Sequence, residues 1–337
     1  MKDIPLLFYQ EHTLDNWDAI REVVSSLSPK WIFRGQKESA WPLKSSFERA
    51  AEWAGCHSTK LRKIELDLFH QFRRRAHLYY EKVPKESSVL EWLALMQHHG
   101  APTRLIDFTK SFYVALFFAI SEVAHRQSGT AAVWALNHSF TNMFTEELMD
   151  NVRCNQTEGL EGVDLSSLIT PLHSNLEIWE NLLGQGYLRD AFTFGGDFCI
   201  LPVEPHRMNE RISAQQGLFV MQDDISVKFE ERLTSCAKYL LGKLPGLTLQ
   251  DGTKMSTADF DLCATLVYRD KEHRSILRES GFVIKFLIPN SLRPEIMDQL
   301  ESMNINNATL FPGMDGYTRS LMRIFDIYAD EPGQRAR

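Results

Sequence analysis

The chain has 337 residues, 44% of them apolar and 24% charged, enough for one large or two ordinary domains and far from the composition of a disordered segment. Its 37 basic and 44 acidic residues give a formal net charge of −7, which excludes a protein whose whole surface is a polycation for nucleic acid and leaves room only for a local basic patch.

The first periodic segment sets Leu14, Trp17, Ile20, Val24 and Leu27 at helical spacing, with Thr13 as the expected N-cap and Ser28-Pro29 as the stop. Trp31–Gln36 reads as a short buried strand that carries Arg34, and Gly35 beside it lets a backbone or a ligand pass close by. A long helix is expected between Ser58 and Tyr80. Its apolar face includes Leu61, Ile64, Leu68, Phe72 and Ala76, and its other face carries the cluster Arg73-Arg74-Arg75. That cluster, flanked by Phe69, Phe72, Tyr79 and Tyr80, is either a nucleic-acid contact or an ordinary solvated face. Ser88 and Glu91 predict a capping box for a helix that stops at His98-His99-Gly100. A loop follows to Thr109, after which Ser111 caps the apolar helix through Val114, Leu116, Phe117, Phe118 and Ile120.

Further strands are expected at Thr130–Leu136, Asp197–Val203, Gly217–Gln222 and Phe282–Pro289, with a surface excursion at Asn151–Thr170. The organisation predicted is one composite α+β unit over 1–330, helix-rich to 128 and strand-rich from 129, with a flexible tail at 331–337. Cys56, Cys154, Cys199, Cys236 and Cys263 form no CxxC pair, and the longest apolar run, Phe112–Ile120, is well short of the roughly 20 residues of a membrane helix. The expected setting is therefore the cytoplasm, with reduced thiols and no membrane partner.

Function is expected where polar groups interrupt apolar surroundings. Gln97-His98-His99-Gly100-Ala101-Pro102-Thr103-Arg104-Leu105-Ile106-Asp107-Phe108-Thr109 sets Arg, Asp, Thr and His side chains between segments that read as core, an arrangement that needs hydrogen-bond partners. Arg104 and Asp107 are close enough in sequence to pair with one another, or Arg104 orients Asp107 toward a ligand. His98 and His99 point about 100° apart on a helix, so no metal site is expected from them.

At Phe33-Arg34-Gly35 and across Gln97–Thr109 the sequence resembles the FRG-domain family, named for its Phe/Tyr-Arg-Gly element. The likeness continues at Ala115–Ala119, Arg211–Phe219 and Ala308–Gly316. More distantly, Arg34 together with Thr109-Lys110-Ser111 and the helix after it resembles the arginine element and the Ser-Thr-Ser strand-to-helix element of Arg-Ser-Glu class ADP-ribosyltransferases. That resemblance implies a split mixed β-sheet with helical insertions and NAD as substrate. It implies Arg34, Asp107, Thr109 and Gln216 as catalytic residues, and Arg34, Gly35, His99, Thr103, Arg104 and Thr109 around the NAD.

The transferases place a glutamate at the third position, where this chain has Gln215 and Gln216. A glutamine can accept a hydrogen bond from a ribose hydroxyl but supplies no charge, which leaves either Asp107 or another carboxylate such as Glu177 or Asp197 to do so, or a weak or absent transferase activity. The implied acceptor is a macromolecule, RNA, DNA or protein, and the implied role is that of a bacterial toxin or antiviral-defence effector with an immunity or regulatory protein as a further partner. The alternatives are a nucleotide- or partner-binding module without turnover, and a glycohydrolase that passes ADP-ribose to water.

Overall fold

The computed structural model of the protein describes residues 9–27, 29–86, 88–124, 127–138, 200–205, 208–222, 224–243 and 283–330. The architecture is α+β. Seven strands, β1 (Gln10–Thr13), β2 (Trp31–Gln36), β3 (Ile106–Thr109), β4 (Thr130–Asn137), β5 (Ile200–Val203), β6 (Gly217–Gln222) and β7 (Val283–Pro289), form one mixed sheet in the order β1-β7-β4-β2-β3-β6-β5. Among the described strands only β1 and β7 pair in parallel; the other registered pairs are antiparallel.

The sheet is covered on both faces, which explains why β4 reads as a continuous apolar run rather than an alternating one. On one face α1 (Trp17–Ser26), α5 (Phe112–Ile120) and α8 (Arg293–Ser302) contribute to a core with Trp31, Phe33, Val133 and Phe286. Helix α5 is apolar nearly all round, as a helix buried on every side must be. Gly35 admits it: a Cβ there would lie 2.0 Å from the Ala115 carbonyl oxygen and 2.6 Å from the Ala119 nitrogen. The space at Gly35 is thus filled by the backbone of α5.

Farther along the same face, α3 (Leu61–Ala76) and α4 (Val89–His98) pack on Leu201, Phe219 and Met221 of β5 and β6. The other face buries Ile32, Ile106, Phe108, Trp134 and Leu218 with α7 (Phe229–Lys243). α2 (Ser46–Trp53) starts beside the loop that leads into β3, capped by the Ser45 hydroxyl, which accepts the Glu48 N–H at 3.1 Å. No described helix is long and apolar enough to cross a membrane.

Several local expectations change. The cap of α1 is Asn16, whose side chain accepts the Ala19 N–H at 2.9 Å, because Thr13 is the last residue of a strand that the polar run Gln10-Glu11-His12-Thr13 does not announce. Ser88 precedes α4 without a side-chain cap bond, so the capping box does not form. The expected long helix begins as a short 3₁₀ turn at Ser58–Lys60 and ends at Ala76 rather than Tyr80. Four residues of the expected loop to Thr109 are strand β3. The Ser111 cap is present, accepting the Val114 N–H at 3.3 Å. The excursion at 151–170, the tail at 331–337, Glu177, Asp197, Cys154, Cys199 and Cys263 lie outside the described residues.

Candidate functional site

The junction of β2 and β3 is the weakest seam of the sheet's centre. β2 and β4 share six registered pairs, whereas β2 and β3 share one, Phe33 opposite Thr109. Alternation along β2 puts Arg34 on the face of Ile32, while Asp107, opposite Phe219, belongs to the other face. A guanidinium that reaches Asp107 must therefore lie in the seam itself. Arg34 Nη1 donates to the Asp107 main-chain oxygen at 2.7 Å and stands 3.9 Å from the Asp107 carboxylate. Its Nε is buried with no hydrogen-bond partner among the described residues. Burial holds the Arg34 pKa below its ordinary value; Asp107 opposes that shift and nearby Arg49 adds to it. The group remains a cation at any working pH.

Asp107 is the accessible member of the pair, with its side chain 61% exposed. It lies where the cover parts, α5 on one side and α3 with α4 on the other. Gln97, at the end of α4, holds the carboxylate by donating Nε2–H to Oδ2 at 3.0 Å. The amide is oriented from behind, since its Oε1 accepts the Thr103 hydroxyl at 2.6 Å and faces the Ser46 hydroxyl at 3.2 Å. Thr103 in turn is pinned by its N–H to Ser46 Oγ at 3.0 Å and by its carbonyl, which accepts the Phe47 N–H at 3.0 Å. Gly100, at φ +79°, makes the turn that brings this loop off the helix.

The implied residues therefore separate into groups. Arg34 and Asp107 meet in the seam, and Thr103 supports Asp107 from the interior through Gln97. Arg104 turns the other way. Its Nε donates to Glu65 Oε1 at 2.7 Å, Nη2 pairs with Glu65 Oε2, and Nη1 donates to the Gln222 carbonyl at 3.1 Å. Arg104 thus pairs with Glu65 of α3 and not with Asp107, and it is only 5% exposed.

Thr109 and Gln216 meet at the start of β6. The Thr109 hydroxyl donates to the Gln215 carbonyl at 2.7 Å and accepts the Ser111 N–H at 3.0 Å, so its donor is engaged in holding the turn before β6. Gln216 is exposed on that turn at φ +47°, a conformation that costs a side-chain-bearing residue roughly 1–2 kcal/mol. Its carbonyl accepts the Lys110 N–H at 3.0 Å. Three strand positions separate Gln216 from Phe219, the register partner of Asp107, which places the two ends of the site about 10 Å apart. His99 is exposed and stacks edge-on against Tyr80, with ring centroids 5.5 Å apart.

Sequence reasoning singled out the stretch that begins at Gln97 but gave Gln97 itself no role, and it overlooked Ser46 and Arg49; these are ordinary polar residues whose roles depend on contacts between distant elements. It also overlooked Glu204, buried after β5 with Lys110 Nζ 2.5 Å from its Oε1. His138, within the field of both, is held below the usual histidine range by burial first, then by Lys30 and Lys110, with Glu204 opposing. Among the described residues no group of three or more His, Cys, Asp or Glu side chains converges as metal ligands would.

No curated protein and no solved structure matches the chain. The family comparison matches the FRG domain over residues 29–128, which takes in β2, β3, α2 to α5 and both Arg34 and Asp107, while the blocks around Gln216 and Phe311 lie beyond the match. Across residues 29–128, then, this chain is similar to the FRG domain.

Proposed function

We propose that the seam between β2 and β3 binds NAD and that the protein transfers ADP-ribose to a macromolecular acceptor. The observation that carries this reading is the Arg34–Asp107 pair: a permanent cation recessed where two strands part, with an unused N–H, beside an accessible carboxylate. A pyrophosphate suits Arg34, with Arg49 as a second cation nearby, because a guanidinium fork grips phosphate oxygens in fixed geometry. Asp107 supplies negative potential where positive charge develops at the anomeric carbon.

The C1′–nitrogen bond breaks with its electron pair leaving on nicotinamide, an oxygen or nitrogen of the acceptor bonds to C1′, and the acceptor's proton passes to Asp107 or to water. Gln97 acts as a positioning residue through Asp107, and Thr109 as one through the Gln215-Gln216 turn. Gln216 contacts ribose hydroxyls as a neutral acceptor. Such an activity suits a bacterial toxin or antiviral-defence effector.

Gln216 itself favours a second reading. With no carboxylate at that position, the same seam suits a module that binds an NAD-like ligand without turning it over. Incubation with adenine-labelled NAD and pools of cellular RNA, DNA and protein separates the readings. Arg34-dependent labelling of one pool supports transfer, nicotinamide release without labelling means hydrolysis, and binding without either means a sensor.

A further inference from the structure

A line of exposed rings and cations passes both ends of the site. It begins after α3, where Tyr79 is 86% exposed and Tyr80 stacks on His99, and His99 stacks on His98 at 4.9 Å. The His98 ring meets the Asn209 amide at 3.3 Å. Asn209 caps α6 (Glu210–Ala214), whose Arg211 lies over the Phe311 ring at 4.9 Å, with Arg319 on the same ring at 5.5 Å. At one end, His98 follows Gln97, the residue that holds Asp107. At the other, the Gln215 side chain donates to the Leu310 carbonyl at 3.0 Å, tying the Gln216 turn to the residue before Phe311.

We propose that this track binds a single strand of nucleic acid and presents it to the site as the acceptor, a proposal that rests on the transferase reading for the second half only. The exposed rings of Tyr79, Tyr80, His99 and His98 offer stacking platforms for unpaired bases, and Arg211 and Arg319, with Arg74 and Arg75 near the Tyr79 end, offer phosphate contacts. Arg73 is not among them, because it is half-buried with its guanidinium folded over Phe69 and Trp92 at 5.4 Å from each ring, whereas Arg211 and Arg319 remain exposed. The net charge of −7, and exposed Glu81, Glu210 and Asp315 beside the track, work against a duplex held by backbone charge alone. Stacking on isolated rings selects the unpaired form.

The test is fluorescence anisotropy without NAD, using labelled 12-nucleotide RNA and DNA single strands, the matching duplexes and an acidic peptide. Wild type binds a single strand, more weakly as salt rises. Tyr80→Ala and the pair Arg211→Ala/Arg319→Ala each lower affinity roughly 5- to 100-fold, Tyr80→Phe keeps it, and Tyr79→Ala, at a side chain too exposed to threaten folding, lowers it as well. The RNA and DNA arms tell which strand is preferred. Absence of single-strand binding at 50 mM salt, equal affinity in the track variants, or stronger binding of the duplex or the peptide overturns the proposal. Wild type that binds strands but never cleaves NAD retires the transferase reading alone; wild type that cleaves NAD but binds no strand retires the track alone.

Discussion

Replacing Arg104 with methionine separates a structural arginine from a ligand-binding one. The side chain makes two bonds to the Glu65 carboxylate and one to the Gln222 carbonyl, and the Glu65 side chain is only 11% exposed. Arg104→Met leaves that carboxylate buried beside an apolar group, so the loss should approach the cost of an orphaned buried charge, about 3–5 kcal/mol. The double variant Arg104→Met/Glu65→Met removes both charges and should recover most of it, giving a coupling of about 2–3 kcal/mol. Urea unfolding followed by tryptophan fluorescence measures all four corners of the cycle. A single variant within about 0.5 kcal/mol of wild type, or additive losses, would refute the reasoning. Unchanged stability with lost NAD binding would return Arg104 to the ligand.

Gly35→Ala forces a Cβ to within 2.0 Å of the Ala115 oxygen, so α5 must retreat from β2 and stability should fall by about 3 kcal/mol or more, read as a lower melting temperature. The Glu48 carboxyl is pushed up to about 6 by burial, partly offset by the Phe229 N–H. Because the folded pKa exceeds the unfolded one, this group contributes stability below about pH 4.5 that is lost as pH rises through 6. Glu48→Gln should therefore stabilise the protein at pH 8, by roughly 1 kcal/mol after solvent screening, and not at pH 4; a gain independent of pH contradicts the assignment. Gln216→Glu should raise NAD cleavage at least about tenfold, a barrier change of about 1.4 kcal/mol, and an unchanged rate removes Gln216 from the site.

The strands with strong β-branched or aromatic runs, β2, β4, β6 and β7, are legible in the sequence to within a residue or two, because each is buried and carries its own apolar signal. β1 and β3 are not, since a four-residue edge strand of polar residues and a four-residue strand holding Asp107 draw their stability from neighbours distant in the chain. Arg34, Asp107 and the Gln97 loop stand out as charges and amides among apolar segments. The partners of those charges do not: Arg104 reaches back to Glu65, 39 positions earlier, and Arg34 forward to Asp107, 73 positions later. Sequence spacing alone favours the nearby Arg104–Asp107 pair, whereas in the fold Arg104 is drawn inward to Glu65 of α3 and Asp107 lies exposed in the seam.

The seam is tested most directly by mixing purified protein with NAD and following free nicotinamide for wild type, Arg34→Lys and Arg34→Ala, with melting temperatures of all three. If Arg34 anchors the pyrophosphate, wild type releases nicotinamide, Arg34→Ala releases at least about 100-fold less, equivalent to about 2.7 kcal/mol of transition-state binding, and Arg34→Lys falls between, while all three stay folded. Equal release from wild type and Arg34→Ala, or a folded wild type that neither binds nor cleaves NAD, contradicts the account.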